Sequence, residues 1–191
     1  MAGRCFWNGL IWGDMIVENV QFILRCFARV HEKHPAARLR IVGGGIMEDA
    51  VHRYHRQRFP ALPVEYTSWL DPREMPQVLS ETHVGLLPLI QDNEWIACKS
   101  PTKLFEYMAA GLAVVASRRG EAVHVMEEGK EGLLADGEEE FSEAMLTLCR
   151  QPARRAALGA AARARVLRDF SLSALADKLH AMLREVGVCA S

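Results

Sequence analysis

Lys103 and Glu106 stand three residues apart in the stretch SPTKLFEYMAAGLAVVAS at residues 100–117. Ser100 suits an N-cap, Pro101 suits a first helical turn, and Gly111 suits the left-handed position just past a helix end. A short helix is therefore predicted between them, with an apolar strand directly after. The leading N–H groups of such a helix lack partners and carry its positive dipole end, which favours an anion by ~0.3–1 kcal/mol. Lys103 adds a mobile positive charge beside that end. Glu106 lies one turn further in, and its two oxygens can accept the two hydroxyls of a ribose diol. The competing reading is a surface helix on which the two side chains form a solvated i,i+3 pair.

Short apolar runs alternate with amphipathic helical patterns around this stretch. Val20, Ile23, Leu24, Phe27 and Val30 share one helical face. Strands are predicted at Leu39 to Val42, Val64 to Tyr66, Val84 to Leu87, Ala113 to Ala116 and Gly132 to Leu134. Helical patterns cover about 46–58, 138–150, 153–168 and 172–186. Asp71-Pro72-Arg73-Glu74 reads as a helix start, with aspartate as cap and proline at the first position. Nearly all-apolar strands separated by helices are parallel and covered on both faces. The fold class is therefore α/β, a doubly wound Rossmann-like parallel sheet with C-terminal helices. Ligands of such sheets sit at the carboxyl ends of the strands, which points to the loops after Val42, Leu87 and Ala116.

Other candidates weigh less. Gly43, Gly44 and Gly45 fail as a dinucleotide fingerprint, because the sixth position of Gly-x-Gly-x-x-Gly is Glu48. They suit either a loop admitting a phosphate or sugar close to the backbone, or a tight turn. His31/His34 and His52/His55 are i,i+3 pairs without a third ligand at suitable spacing, so no metal site is expected. Arg118 and Arg119 follow a strand at its carboxyl end, where they either bind ligand or are solvated. The arginines between 150 and 168 read as a solvated basic face. Trp69 and Phe59 read as core or as packing against the edge of a base.

Composition narrows the function classes. Hydrophobic residues make up 50% of the 191 and charged residues 25%, with a formal net charge of −1, so no global field points to nucleic acid or anionic lipid. Cys5, Cys26, Cys98, Cys149 and Cys189 are scattered, without Cys-x-x-Cys spacing, which favours a reducing, cytoplasmic setting. The N-terminal MAGRCFWNGLIWGD lacks the basic start and cleavage site of a signal peptide. No run reaches the ~20 apolar residues of a membrane span.

SPTKLFEYMAAGLAVVAS resembles the central segment of glycosyltransferase family 4, the group 1 retaining glycosyltransferases of the GT-B fold. RLRIVGGG, VEYTSWLDPREMPQVLSETHVGLLPL, GEAVHVMEEGKEGLLADG and FSLSALADKLHAML follow the family's order and spacing, covering about residues 16 to 186. The resemblance implies one C-terminal-type, nucleotide-sugar-binding GT-B half over residues 1–191, with a core of about 16–170 and a closing helix of about 172–186. The acceptor-binding half is absent from these residues and is expected in cis or on a partner chain. Without it, no transfer is expected.

By the same resemblance Glu106 holds the donor's ribose hydroxyls, while the segment Ser100 to Lys103, which includes Pro101 and Thr102, meets the diphosphate through the backbone N–H groups at the helix start. Glu106 and Lys103 are thus the candidate catalytic residues, with Gly43, Gly44, Gly45 and Arg118 as further substrate contacts. The base is expected near the loop after Val42 and around Tyr66 to Leu70. The implied reaction is transfer of a hexose-type unit from a UDP- or GDP-sugar with retention, without cofactor or metal. The site is cytoplasmic, or at a membrane surface through a partner.

Several positions depart from the family pattern. Cys98 stands where an earlier glutamate is common, with Asp92 and Glu94 in the same loop; some relatives carrying Lys-Leu-Phe-Glu-Tyr also lack that glutamate. The stretch NGLIWGDMIVEN carries Asp14 and Glu18 where the family shows basic residues that clamp the diphosphate, a loss that Lys103, Arg118 or Arg119 could offset. His124 replaces another common glutamate. Two alternatives follow: a non-catalytic binding or assembly domain, or a sugar-nucleotide epimerase or hydrolase of the same architecture.

Overall fold

The computed structural model describes residues 3–98 and 100–187, with the backbone alone at Trp95. Cys189 lies outside the described residues. The elements run β1 (Arg4–Asn8), α1 (Asp14–Lys33), β2 (Arg38–Val42), α2 (Glu48–Arg58), β3 (Val64–Thr67), α3 (Met75–Ser80), β4 (Val84–Leu87), α4 (Glu94–Cys98), α5 (Thr102–Ala109), β5 (Ala113–Ser117), α6 (Ala122–Val125), β6 (Gly132–Ala135), α7 (Gly137–Arg150), α8 (Pro152–Asp169) and α9 (Leu172–Glu185). Among the described residues, six strands form one sheet in the order β3-β2-β1-β4-β5-β6, every neighbouring pair parallel. The order reverses between β1 and β4, and a doubly wound sheet opens its ligand crevice at that point.

β1 is the one strand that pattern reading passes over. It lies at the centre of the sheet, ahead of the expected core start at residue 16. Only five residues long and ending in polar Arg4 and Asn8, it shows neither alternation nor a preceding turn. Its side chains divide between the two faces. Cys5 and Trp7 join the core beneath α1 and α7, while Phe6 joins the one beneath α3, α5 and α8. The apolar stripe of α1 is buried as its 3.6-residue period requires, from Ile16 through Val30.

Two helix starts differ from expectation by a few residues. α5 opens one residue later than predicted: the Pro101 carbonyl accepts from Leu104 N at 2.8 Å, which makes Pro101 the cap and leaves Ser100 outside. Around residues 71–74, Asp71 Oδ1 accepts from Arg73 N at 2.9 Å and Glu74 Oε2 from Asp71 N at 3.3 Å. That reciprocal box is present, but it closes a turn, and regular helix begins only at Met75.

The far end of α5 follows the sequence closely. Gly111 takes a φ of 75°, Leu112 N reaches Tyr107 O at 3.0 Å and Gly111 N reaches Met108 O at 2.9 Å, the paired bonds of a Schellman ending. α9 begins on the Ser171 hydroxyl, which accepts from Ala174 N at 3.3 Å. Its Leu172, Leu175, Leu179 and Met182 form an exposed ridge. No helix among the described residues is long and apolar enough to cross a membrane.

Candidate active site

A buried aromatic side chain ties α5 to the centre of the sheet. Tyr107 is fully buried against Phe6 and stands over Gly85, where a Cβ would lie 2.5 Å from Tyr107 Cδ2. Its hydroxyl donates to Asn8 Oδ1 at 2.7 Å and accepts from Asn8 N at 3.3 Å. Burial pushes the phenol's pKa far up, so the hydroxyl stays protonated and keeps donating. The carboxyl end of β1 is thereby tied to the middle of α5, one residue from Glu106.

Glu106 is exposed and lines a cavity of about 800 Å³. Its side chain has no hydrogen-bond or ion-pair partner among the described residues. The walls come from the ends of three strands and from three helices: Asn8 to Leu10 at β1, Val42 and Gly43 at β2, Trp69 and Leu70 after β3, the facing sides of α3 and α5, and Arg163 of α8. Trp69 is 73% exposed, so its indole is no core residue and presents a bare ring to the cavity. Phe59, by contrast, packs on the core as expected.

Ser100, Pro101, Thr102 and Lys103 line a smaller, adjoining cavity of about 60 Å³, between the start of α5, Trp7 and the loop after β4. That loop is pinned by Leu89 N donating to Ser117 Oγ at 2.9 Å and Ile90 N to Asn19 Oδ1 at 3.2 Å. The Lys103 ammonium lies 4.9 Å over the Trp7 ring. A Cβ on Gly9, which lines the larger cavity, would meet Lys103 Nζ at 2.7 Å. Lys103 therefore stands at the partition between the two cavities, its charge within reach of a ligand lying across both.

Of the three glycines only Gly43 lines the large cavity. All three are demanded by backbone proximity. A Cβ would meet Gly9 O at 1.9 Å from Gly43, Ser68 O at 2.4 Å from Gly44 and Ile11 O at 2.3 Å from Gly45. Ile11 N donates to Gly44 O at 2.9 Å and Met47 N to Ile11 O at 3.1 Å, so the loops after β1 and β2 are joined main chain to main chain.

Arg118 is not brought to either cavity. It lines a third, open depression of about 480 Å³ near β6, donating to Leu134 O at 3.0 Å and pairing with Asp136 at 3.3 Å and Glu128 at 3.6 Å. Arg119 pairs with Asp92 at 3.4 Å, and Glu18 accepts from Gln91 Nε2 at 2.9 Å. Cys98 is an exposed thiol at the end of α4. His124 is exposed on α6. His52 and His55 pack on the Tyr66 ring at 4.5 and 5.5 Å, and His31 lies beside Phe27.

The basic face between residues 150 and 168 is only partly solvated. Arg155 is 7% exposed, and its guanidinium donates to Leu148 O at 2.8 Å and Cys149 O at 3.5 Å, covering the last carbonyls of α7. Arg163 donates to Ala109 O and lines the large cavity with Glu106. The signal that could have found it is Gly159, one turn earlier on the same face, where a Cβ would meet Gly111 O at 2.1 Å. That contact brings α8 against the end of α5.

The comparisons with known proteins decide the family. Residues 8–151 match the family of group 1 glycosyl transferases. The chain belongs to that family. No curated protein matches it. Among solved structures, this group 1 domain is similar to TarM of S. aureus, at 15% identity and a TM-score of 0.78 over 93% of this chain and 34% of TarM. It is similar to the C-terminal domain of the group 1 protein LpcC from Francisella tularensis, at 13% identity and a TM-score of 0.71 over 90% and 87% of the two chains. It also resembles sucrose-phosphate synthase of Thermosynechococcus elongatus, at 17% identity and a TM-score of 0.77 over 99% of this chain and 46% of that one. The fold is that of one GT-B half. The group 1 domain spans less than half the length of TarM and of sucrose-phosphate synthase. The TarM structure was determined with UDP, fondaparinux and α-GlcNAc-glycerol.

Proposed function

We propose that this chain is the donor-binding half of a retaining glycosyltransferase that takes a sugar from a nucleoside-diphosphate sugar. The observation that carries the reading is Glu106: an exposed carboxylate without a protein partner among the described residues, set in the wall of a large cavity at the switch point of the sheet. In this reading the base lies between Gly43 and the bare face of Trp69. The ribose hydroxyls donate to Glu106, and the diphosphate crosses to the start of α5 at Ser100, Pro101 and Thr102.

Breaking the bond between sugar and phosphate leaves negative charge on the departing nucleoside diphosphate. Groups that meet that charge as it forms lower the barrier. The helix start of α5, its dipole and Lys103 would supply this stabilisation, with no dedicated metal or cofactor. The acceptor would be held by a second half, in cis or on a partner chain, which closes over the donor. The free thiols of Cys5, Cys26, Cys98 and Cys149 favour a reducing compartment such as the cytoplasm.

Arg118 and Arg119 favour a second reading, nucleotide binding without transfer. Both are engaged by carboxylates, so neither replaces the cations missing after β1. Calorimetric titration of the chain with UDP and GDP tests the first reading. Binding of one of them, lost in Glu106→Ala, is expected; indifference to both would overturn it. Adding the second half and an acceptor then separates transfer from binding alone, since a binding domain yields no glycosylated product.

A further inference from the structure

Asn8 ends the central strand β1, lines the large cavity and is half-buried. Its side chain is oriented by Tyr107 in a way that leaves no choice of rotamer face. The phenol oxygen already accepts from the backbone N–H of Asn8 at 3.3 Å, so its own proton goes elsewhere, and among the described residues it meets the Asn8 carboxamide at 2.7 Å. A donor on the phenol requires an acceptor on the carboxamide, which fixes Oδ1 toward Tyr107. Nδ2 then faces away, with both protons unused by any hydrogen bond among the described residues.

Beside Asn8 stand two charged groups of the site. Trp7, one residue before it, carries the Lys103 ammonium over its ring, and Gly9, one residue after it, abuts that ammonium. Glu106 follows from the other side, adjacent to Tyr107 in the helix. Asn8 thus shares the large cavity with Glu106 and is flanked in sequence by the two residues that the Lys103 ammonium touches, which sets it beside the path of a ligand spanning Glu106 and Lys103. We infer that Asn8 Nδ2 is a fixed donor to a phosphate oxygen of the bound nucleoside diphosphate, a neutral contact where the family resemblance leads one to expect basic side chains. Tyr107 acts through Asn8 as its positioning residue. The inference rests on the nucleotide reading proposed above.

The test compares UDP and GDP with uridine and guanosine, which lack phosphates, by calorimetry on the unaltered chain and on Asn8→Asp. Aspartate keeps an oxygen for the Tyr107 hydroxyl but turns an anionic oxygen toward the ligand in place of the NH2 group. The diphosphate that binds is expected to lose at least about ten-fold in affinity, while its nucleoside changes by less than about two-fold. Asn8→Ser, which removes the donor pair without adding charge, should lose about three- to ten-fold for the diphosphate alone, and it stands in if Asn8→Asp unfolds. Unchanged diphosphate binding in both variants would overturn the role of Asn8, and equal losses for nucleoside and diphosphate would overturn its assignment to phosphate. An unaltered chain that binds none of the four ligands would overturn both this inference and the nucleotide reading beneath it.

Discussion

Gly85 lies directly under the ring of Tyr107, so close that a Cβ on Gly85 would sit 2.5 Å from Cδ2 and 2.7 Å from Cγ. The strand cannot retreat, because β4 is hydrogen-bonded to β1 on one side and β5 on the other. Gly85→Ala must therefore push the ring and α5 outward. A loss of about 1–3 kcal/mol in urea unfolding is expected, together with weaker nucleotide binding as Glu106 shifts. Full stability in that variant would mean that α5 is not seated by this contact.

Tyr107→Phe removes a buried hydroxyl and strands two groups of Asn8, its backbone N–H and its Oδ1. Leaving such groups unpaired costs about 1–3 kcal/mol, and the loss should appear as a lower midpoint in thermal unfolding. A midpoint equal to that of the unaltered chain would show that water replaces the phenol at no cost.

Lys103 and Arg118 should behave in opposite ways. Lys103→Met removes a cation set between the two cavities and is expected to weaken UDP or GDP by about 10–100-fold, leaving the parent nucleoside unaffected. Arg118→Ala breaks partly exposed pairs with Asp136 and Glu128, for about 0–1 kcal/mol of stability, and should leave affinity unchanged. A large affinity loss in Arg118→Ala would return that residue to the site.

Arg155 and Arg154 offer a similar contrast within one helix. Arg155→Ala uncovers the carbonyls of Leu148 and Cys149 at the end of α7 and should cost about 2–3 kcal/mol, read by chemical unfolding. Arg154→Ala, on the exposed side, is expected to fall within about 0.5 kcal/mol of the unaltered chain. Equal effects would mean that the burial of Arg155 contributes nothing specific.

Acid should weaken the fold in a definite direction. His83 Nδ1 accepts from Arg4 N at 3.1 Å, a bond that only the neutral ring can make. Partial burial, then the charges of Arg155 and Arg4, hold its pKa below the ordinary value of 6.5, and burial does the same for His55. The unfolded chain therefore takes up these protons first. Their contribution is complete above pH 6.5 and is lost as pH falls through the depressed values. Thermal midpoints should drop from pH 7.5 to pH 5.5, and His83→Asn should flatten the slope by supplying an acceptor that does not titrate. A midpoint that rises on acidification would contradict this sign.

The parts of the fold legible in the sequence are those coded by neighbours along the chain. Gly111 ends α5 where its spacing predicts, and the apolar runs at residues 84–87 and 113–116 are strands of the sheet. β1 escaped because its identity as a strand comes from two flanking partners distant in sequence, not from its own five residues. Arg155 and Arg154 are indistinguishable by composition; only the carbonyl ends of α7 set them apart. Glu106 was legible because one helix carries it. Trp69 was legible only as one of two readings, core or base contact, and Arg163 not at all, because their place in the cavity wall exists only once α8 crosses α5 and the loop after β3 turns back over the sheet.

The main-chain bonds between the Ile11 and Gly44 segments have one more consequence. Two of the lips that surround the opening are welded into a single stiff rim, and a methyl group added at Gly43 would be enough to part them. Entry of a guest then requires no ordering of that rim, so accommodation to guests of different girth falls to the opposite bank, where the indole of Trp69 stands exposed.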